Sequence, residues 1–138
     1  MSGSIVIDEE GSLAEPDLHD AFLYRIDFGG EHVTLYFRGS LGGNLKLDLR
    51  GVVLMSSSGL AEKNIVLDVT IQHGSDVHVE TVNALFPGKT QAQDAYRGMM
   101  LHRLRMKELI LLQISPSYGG EITIICEGVE HAPILEAD

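Results

Sequence analysis

Short segments in which hydrophobic and polar residues alternate predict a protein built largely of β-strands. Apolar side chains recur at every second position from Phe22 to Phe28, and the same period returns from Val33 to Phe37 after Gly29-Gly30. Alternation of this kind is typical of half-buried strands, and a glycine turn between two such segments predicts a β-hairpin. The period predicts one face with Phe22, Tyr24, Ile26 and Phe28, and an opposite face with Arg25 and Asp27.

Further segments along the chain also predict strands. Leu45–Leu49 and Ile65–Ile71 alternate strictly, and Gly74–Asp76 separates the second of them from Val77–Val82. We interpret Gly74–Asp76 as a three-residue hairpin loop, because an odd length keeps the apolar residues of both strands on one face. The other predicted strands are a short first one at "SIVI", then "VVLM", "ELILLQI" and "EITIICEGV".

One segment breaks the alternation and predicts a helix from about Thr90 to Arg105. Its apolar residues fall at the helical spacing i, i+3, i+4, i+7 and i+8, so we expect them to form the buried stripe. Thr90 is a candidate N-cap, and the later arginines suit the negative end of the helix dipole. The stripe consists of Ala92, Ala95, Tyr96, Met99 and Met100.

Together these elements predict a single α+β domain, with an antiparallel, curved sheet of about seven strands and one main helix. The 138 residues suffice for one domain with its own core, and 44% of them are hydrophobic. No linker divides the chain, and we expect loose ends at about residues 1–4 and 131–138.

Two predicted strands, "GVVLM" and "ELILLQI", are apolar at successive positions. Strands of this kind need cover on both faces. A single helix cannot supply all of that cover, and a bare apolar sheet face marks an interface. We therefore expect two copies of the chain to pair as a homodimer.

The charge distribution limits the class of partner. The formal net charge is −10, and five of the ten basic residues lie between Lys89 and Lys107. Nucleic-acid binding relies on clustered Lys and Arg over the contact surface, so we predict a protein partner and no nucleic acid. Six acids fall within the first twenty residues: Asp8, Glu9, Glu10, Glu15, Asp17 and Asp20.

The single cysteine and the short apolar runs predict a cytoplasmic protein with no membrane contact. Cys126 has no partner for an intramolecular disulfide, and it lies in the apolar run "ITIIC", where a buried thiol is expected. No run approaches the ~18 to 20 apolar residues of a membrane span. The first twelve residues lack the basic start and apolar core of a secretory signal.

A His-Asp pair, His19-Asp20, precedes the first long predicted strand and suggests a metal or catalytic site. Adjacent side chains on a strand point in different directions, so the pair alone does not make a site. The structural alternative is that Asp17 and Asp20 shape a turn through bonds to the backbone, with Leu18 packed inward. We favour the turn.

Two other motifs have the spacing of known sites. His73, Asp76 and His78 resemble metal ligands in spacing, but the predicted hairpin sets the two rings on opposite faces, so we expect a polar turn. Gly88-Lys89-Thr90 matches the end of a phosphate-binding loop. Bulky residues at 85–87 occupy the part that would wrap phosphate, so we expect a helix cap there instead.

The run "LHDAFLYRIDFGGEHVTLYFRG", followed by "LKLDLRGVVLM", resembles a set of small bacterial α+β domains. These domains open with a His-Asp-(Ser/Ala)-x-Leu turn, followed by a hairpin and a strand that leads into Gly-Val. The set includes immunity proteins of polymorphic toxin systems and uncharacterised families. The match covers about Leu18–Met55, and its distinctive residues are His19, Asp20, Ala21, Leu23 and Gly51-Val52. The resemblance implies a structural role for His19-Asp20 and brings no catalytic residues.

Two hypotheses for function follow. The favoured one is a small, bacterial-type binding protein, immunity-like and non-enzymatic, which uses its acidic surface to bind a basic protein and needs no cofactor or metal. The alternative is a small-molecule-binding protein or an enzyme with a pocket on the open face of the sheet. The residues expected to line that pocket are His19, Tyr24, Tyr36 and His78.

Overall fold

The structure is a computed structural model that describes residues 3–40 and 42–134. Within these ranges, helix α1 spans Val79–Leu85, helix α2 spans Gln91–Arg105, and Gly74–Asp76 forms a 3₁₀ turn. Neither helix is long and apolar enough to cross a membrane, as far as the described residues show. The strands are β1 (Gly3–Ser4), β2 (Val6–Ile7), β3 (Leu13–Glu15), β4 (Phe22–Gly29), β5 (His32–Arg38), β6 (Asn44–Arg50), β7 (Leu54–Ser58), β8 (Asn64–Gln72), β9 (Ile110–Tyr118), β10 (Glu121–Cys126) and β11 (Gly128–Ile134).

The predicted α+β class with about seven strands is wrong, because sheet dominates the described chain. Nine strands form one antiparallel sheet in the order β1-β11-β6-β5-β4-β8-β9-β10-β7, while β2 and β3 pair separately. The two helices contribute only 7 and 15 residues. The short first strand predicted at "SIVI" is divided into β1 and β2, and β3 was missed because three residues are too few to show an alternation. The segment "EITIICEGV" also divides into β10 and β11 at Glu127.

The two ends of the described chain lie side by side. Gly3 pairs with His131, and Ser4 pairs with Glu130, which places β1 along the outer edge of β11. Segments 3–4 and 131–134, parts of the ends that we expected to be loose, are thus in strands. The same expectation for residues 1–2 and 135–138 lies outside the described residues.

The large sheet curves around one hydrophobic core. Its two halves join at a narrow seam, where β4 and β8 pair over two residues each. Buried side chains from both halves pack into a single cluster, with Phe37 and Leu47 from one half and Val69 and Ile114 from the other. The half-sheets therefore face each other across the core, as in a β-sandwich.

The two helices cover the opposite face of β9 and β10. Leu111 in β9 packs with Val82 of α1 and Leu104 of α2, whereas its neighbour Leu112 faces the main core. This second layer accounts for the continuous apolar run in β9. The homodimer prediction assumed an apolar sheet face without cover, but at β9 the two helices cover that face. Pairing of two copies stays a prediction.

Two β-bulges change the predicted faces of β4 and β8. In β4 the register with β5 shifts between Leu23 and Arg25, which leaves Tyr24 as the extra residue. Leu23 and Ile26 consequently both face the core. The prediction that Phe22, Tyr24, Ile26 and Phe28 share a face is wrong, because one extra residue flips the alternation beyond it. A second bulge, around Leu67, has the same effect in β8.

The predicted hairpin at Gly74–Asp76 is also wrong, since the segment after the 3₁₀ turn forms α1. Val82, Leu85 and Phe86 have helical spacing and pack in the same cluster as α2. The β-branched residues Val79 and Val82 suggested a strand, but this tertiary packing overrides their preference.

Helix α2 confirms the helix predicted from Thr90 to Arg105. The Thr90 hydroxyl oxygen accepts a hydrogen bond from the Gln93 N–H at 3.1 Å, and the Gln93 side-chain oxygen accepts from the Thr90 N–H at 3.0 Å. These two bonds form a capping box. The predicted buried stripe is wrong for four of its five residues: Met100 is buried, but Ala92, Ala95, Tyr96 and Met99 are exposed. The helix reaches the sheet mainly through Met100, Leu101 and Leu104.

Candidate functional site

His19-Asp20 lies in a tight turn that leads into β4. The Asp17 carboxylate accepts a hydrogen bond from the His19 N–H at 3.0 Å, and the Ala21 N–H donates to the Leu18 carbonyl at 2.9 Å. Leu18 and Ala21 are buried in the main core. Asp20 has a φ of 63°, a left-handed conformation that Asp tolerates better than most residues. The turn expected from Asp17 and Leu18 is therefore confirmed, but the expected bond from the Asp20 carboxylate to the backbone is wrong among the described residues, since that carboxylate contacts only the His19 ring.

The same part of the chain closes the edge of β8 that faces away from β9. The Asp20 N–H donates to the Val66 carbonyl at 2.8 Å, and the Ile71 N–H donates to the Gly11 carbonyl at 2.8 Å. Residues 11–20 thus follow β8 along much of its length and satisfy backbone groups that an open edge would expose.

The His19 ring is held on the outside of this turn. Its Nδ1 lies 2.7 Å from the Leu67 carbonyl oxygen, and its Nε2 lies 3.6 Å from a carboxylate oxygen of Asp20. The hydrogen bond to the Leu67 carbonyl, and then the negative charge of Asp20, raise the pKa of His19, because both favour the protonated ring.

We expect this contact to make folding stability depend on pH. Because the pKa of His19 is raised in the folded state, the added stability is complete below the ordinary histidine pKa of about 6.5. It is lost as the pH rises through the raised pKa. An NMR titration of the ring should give a midpoint above about 6.5. Urea unfolding at several pH values should show that His19→Gln removes this part of the pH dependence, while His102→Gln, a substitution of an exposed helix residue, preserves it.

Six exposed carboxylates lie on residues 8–20, which we call the acidic segment. The Asp8 carboxylate accepts hydrogen bonds from the Glu10 and Ser12 N–H groups, both at 2.9 Å, and so shapes the turn between β2 and β3. In the part of the chain that the structure describes, no Lys or Arg forms an ion pair with any of the six. The acidic segment therefore presents negative charge that the chain does not neutralise.

The arginines of α2, in contrast, are engaged within the chain. Arg97 donates to the carbonyls of Phe86 and Gly88, which fixes the loop between the two helices. Arg105 donates to the Val77 carbonyl at 3.2 Å. These guanidinium groups tie α2 to its neighbours and do not form a free row of charge of the kind that contacts phosphates.

The four residues predicted to line a pocket lie in three different places. The rings of Tyr24 and Tyr36 are neighbours on the face of the β4–β5 hairpin that points away from the core, with centroids 6.2 Å apart. His19 lies in the turn before β4, and His78 is the exposed N-cap residue of α1.

Arg25 and Asp27 lie beside the two tyrosines on this face, and the polar groups of Arg25, Asp27 and Tyr36 bond to one another. The Tyr36 hydroxyl and the Arg25 Nε both donate to the Asp27 carboxylate, each at 2.9 Å, and the Arg25 guanidinium lies 4.9 Å from the centre of the Tyr36 ring. The bonds from Arg25 and then Tyr36 lower the pKa of Asp27, and the bond to Asp27 raises the pKa of Tyr36. The sequence did not suggest this cluster, because the bulge at Tyr24 is what pairs Arg25 with Tyr36.

The histidine motif at His73, Asp76 and His78 is divided between different elements. Asp76 ends the 3₁₀ turn and His78 precedes α1. Nδ1 of His73 is shielded from solvent and has no hydrogen-bond partner among the described residues. Within residues 3–40 and 42–134, no group of three or more His, Cys, Asp or Glu side chains is arranged to hold a metal ion.

Gly88-Lys89-Thr90 differs from a phosphate-binding loop in its surroundings. The element before it is helix α1, where such a loop requires a strand. The Gln93 side chain lies against Gly88 and bonds to the Thr90 N–H. The backbone that would cradle phosphate is therefore occupied by the capping box.

Three surface cavities are of a size that could hold a small ligand. One of about 360 Å³ lies between α1 and α2 and is lined mainly by apolar side chains such as Phe86 and Tyr96. One of about 440 Å³ is formed by the glycine-rich loop between β5 and β6. A third, of about 280 Å³, has Arg50, His73 and Glu130 in its wall, residues that the sequence analysis did not connect. None of these three cavities is lined by the four predicted pocket residues.

Comparisons of the chain with protein-family models, with curated protein sequences and with solved structures found no significant match.

Proposed function

We propose that this chain is a non-enzymatic binding protein that uses its acidic segment to contact a basic protein partner. The observation that supports the proposal is the set of six exposed carboxylates on residues 8–20 with no Lys or Arg ion pair. Such a surface attracts and orients a positively charged partner and disfavours like-charged ones. An immunity protein that inhibits a basic toxin is a partner relationship of this kind, and the resemblance over Leu18–Met55 is consistent with it.

We further propose that the chain binds no nucleic acid, needs no cofactor and is located in the cytoplasm. Of the arginines of α2 that could have met phosphates, Arg97 and Arg105 donate to carbonyl groups of the chain, and Arg103 donates to the Glu108 carboxylate. Cys126 is buried, and burial raises the pKa of its thiol to about 11, so it stays protonated and unreactive. A single buried thiol suits a reducing compartment.

A pocket at His19, Tyr24, Tyr36 and His78 receives less support. The Tyr36 hydroxyl already donates to Asp27, and the His19 ring is bonded to Leu67. These groups are therefore not directed at a vacant site, and the four residues named for the enzyme alternative do not converge in the part of the chain that the structure describes.

The test is a capture experiment with the acidic segment neutralised. We expect the triple variant Glu9→Gln, Glu10→Gln, Glu15→Gln to lose about tenfold or more in affinity for the basic protein that the wild-type chain retains from a lysate of its own cell. These three carboxylates make no hydrogen bond in the described structure, so their loss should leave the fold intact. Retention by the wild type should fall steeply as salt is added.

A matched control separates this segment from total charge. Glu62→Gln, Glu80→Gln and Glu121→Gln change the net charge equally, on residues that are also exposed but lie elsewhere. We expect this control to keep the captured protein. Equal loss by both triple variants, or capture that ignores salt, would reject the acidic segment as the binding surface.

A further inference from the structure

Among the residues that the structure describes, the free edge of β7 carries none of the features that protect the other sheet edges. Strand β7 is the last in the sheet order, and it pairs with β10 continuously from Leu54 to Ser58 without a bulge. Alternate residues of an antiparallel edge strand direct their N–H and C=O groups away from the sheet. In the described residues, no other strand meets that side of β7.

Other edges of the fold are blunted in ways known to prevent strand addition. β11 carries Pro133, which lacks an N–H, and is partly covered by β1. The part of β4 beyond the seam has a bulge at Tyr24 and the charged residues Arg25 and Asp27. The edge of β8 is closed by residues 11–20. β7 has the sequence Leu-Met-Ser-Ser-Ser, with neither charge nor proline, and its three serines are exposed.

We propose that β7 pairs antiparallel with β7 of a second copy of this chain, so that the sheet continues across a two-fold axis at Ser56. This register sets Leu54 against Ser58 and Met55 against Ser57, and no two like charges oppose each other. It makes the same patch serve on both copies, as a two-fold interface requires.

Two features near β7 favour a second copy as the occupant. Val53 and Leu60 flank the strand and are 41% and 46% exposed. In this register Val53 of each copy lies opposite Gly59 of the other, next to Leu60, so exposed apolar side chains flank both ends of the contact. Two copies with a net charge of −10 each repel, so they are expected to meet at an uncharged surface, and β7 is one.

A cysteine at the axis gives the most direct test. Directly opposed residues of antiparallel strands have Cα atoms about 4.5–5.5 Å apart, within the range of about 4.4–6.8 Å that a disulfide spans. We expect Ser56→Cys to form a covalent dimer on mild oxidation, seen on a non-reducing gel. Ser115→Cys, at an exposed serine on the interior strand β9, should give no covalent dimer under the same oxidation. The native Cys126 is buried and does not contribute.

Light scattering on the wild-type chain gives an independent readout. We expect twice the 15.1 kDa monomer mass at high micromolar concentration. Ser57→Lys should return the mass to that of the monomer, because a lysine on an edge strand blocks pairing. Ser115→Lys, which adds the same charge elsewhere, should not.

A monomeric wild-type chain at high micromolar concentration would overturn the proposal. A dimer that persists in Ser57→Lys, together with no cross-link in Ser56→Cys, would also overturn it. If Ser57→Lys fails to fold, as judged by circular dichroism, the Ser56→Cys cross-link decides alone. The proposal does not depend on the acidic segment, so the two can fail separately.

Discussion

Phe37→Ala is expected to destabilise the fold by about 3–5 kcal/mol. The Phe37 side chain is fully buried in the main core, between Leu23 of β4 and Leu45 of β6 in the strand register. Truncation removes most of the ring's burial and leaves a cavity that the surrounding sheet fills only in part. Domains of this size have a total stability of about 5–15 kcal/mol, so the loss is a large share of it.

Phe28→Ala is the matched control, because it makes the same chemical change in the neighbouring strand. Phe28 is 70% exposed, so we expect a loss below about 1 kcal/mol. Urea unfolding followed by far-UV circular dichroism measures both free energies of unfolding. Equal losses in the two variants would contradict the difference in burial between Phe37 and Phe28.

Gly119→Ala should cost about 3 kcal/mol or more, at the severe end for single substitutions. Gly119 lies in the turn between β9 and β10 with a φ of +88°, which favours glycine. A Cβ there would also lie 2.5 Å from the Lys63 carbonyl oxygen and 2.9 Å from the Asn64 Cα. Backbone atoms at these distances cannot move without shifting the start of β8.

Hydrogen bonds to Asn64 hold the turn in place, so the backbone cannot shift to accommodate an added Cβ without breaking them. The Asn64 side-chain oxygen accepts from the Gly120 N–H at 2.9 Å and from the Ala61 N–H at 3.0 Å. Gly42→Ala is the control, since Gly42 has a φ of +90° with no atom within 4 Å of its Cβ position. It should lose only about 1–2 kcal/mol, the cost of the backbone conformation. If urea unfolding showed that Gly42→Ala lowers the free energy of unfolding as much as Gly119→Ala does, the close contacts of the Gly119 Cβ position would not be the cause of the larger loss.

Local patterns were sufficient to predict α2 and the long strands. The capping box at Thr90 and Gln93 is a contact between residues three apart, so the sequence contains everything that forms it. The β4–β5 hairpin and β8 were likewise predicted, because alternation over seven or more residues is a strong signal.

The errors arose where distant contacts decide the outcome. The segment Val77–Val82 was predicted as a strand, but Val79–Leu85 is helical and packs through Val82 in one cluster with residues of α2 and β9. The bulges at Tyr24 and Leu67 are shifts in the pairing of β4 with β5 and of β8 with β9, and the alternation within one segment does not show them. A bulge moves every following side chain to the other face, so one missed residue misplaces a whole strand.

The candidate site shows the same division. The carboxylates of the acidic segment could be named from the sequence, because charge is visible there without knowledge of the fold. The group of Arg25, Asp27 and Tyr36 could not, since it depends on the bulged register of the hairpin. The cavity wall formed by Arg50, His73 and Glu130 could not be predicted either, because these residues come from three separate places in the chain: the end of β6, the residue after β8, and β11.

The two half-sheets, which join only at the narrow seam between β4 and β8, are synthesised largely one after the other. The meander β4–β5–β6 precedes β8 to β10 in the chain and pairs segments that are neighbours in sequence, with the apolar side chains of Val33, Leu35 and Leu47 on one face. The strands that cover this face, β8 to β10, come later in the chain, and β11 must then insert between β6 and β1. Until then the nascent chain holds a formed but uncovered apolar surface, the kind that chaperones recognise. Completion of the fold waits for residues near 130, because β11 pairs with β6 and with β1, and such pairing between distant parts of the chain slows folding.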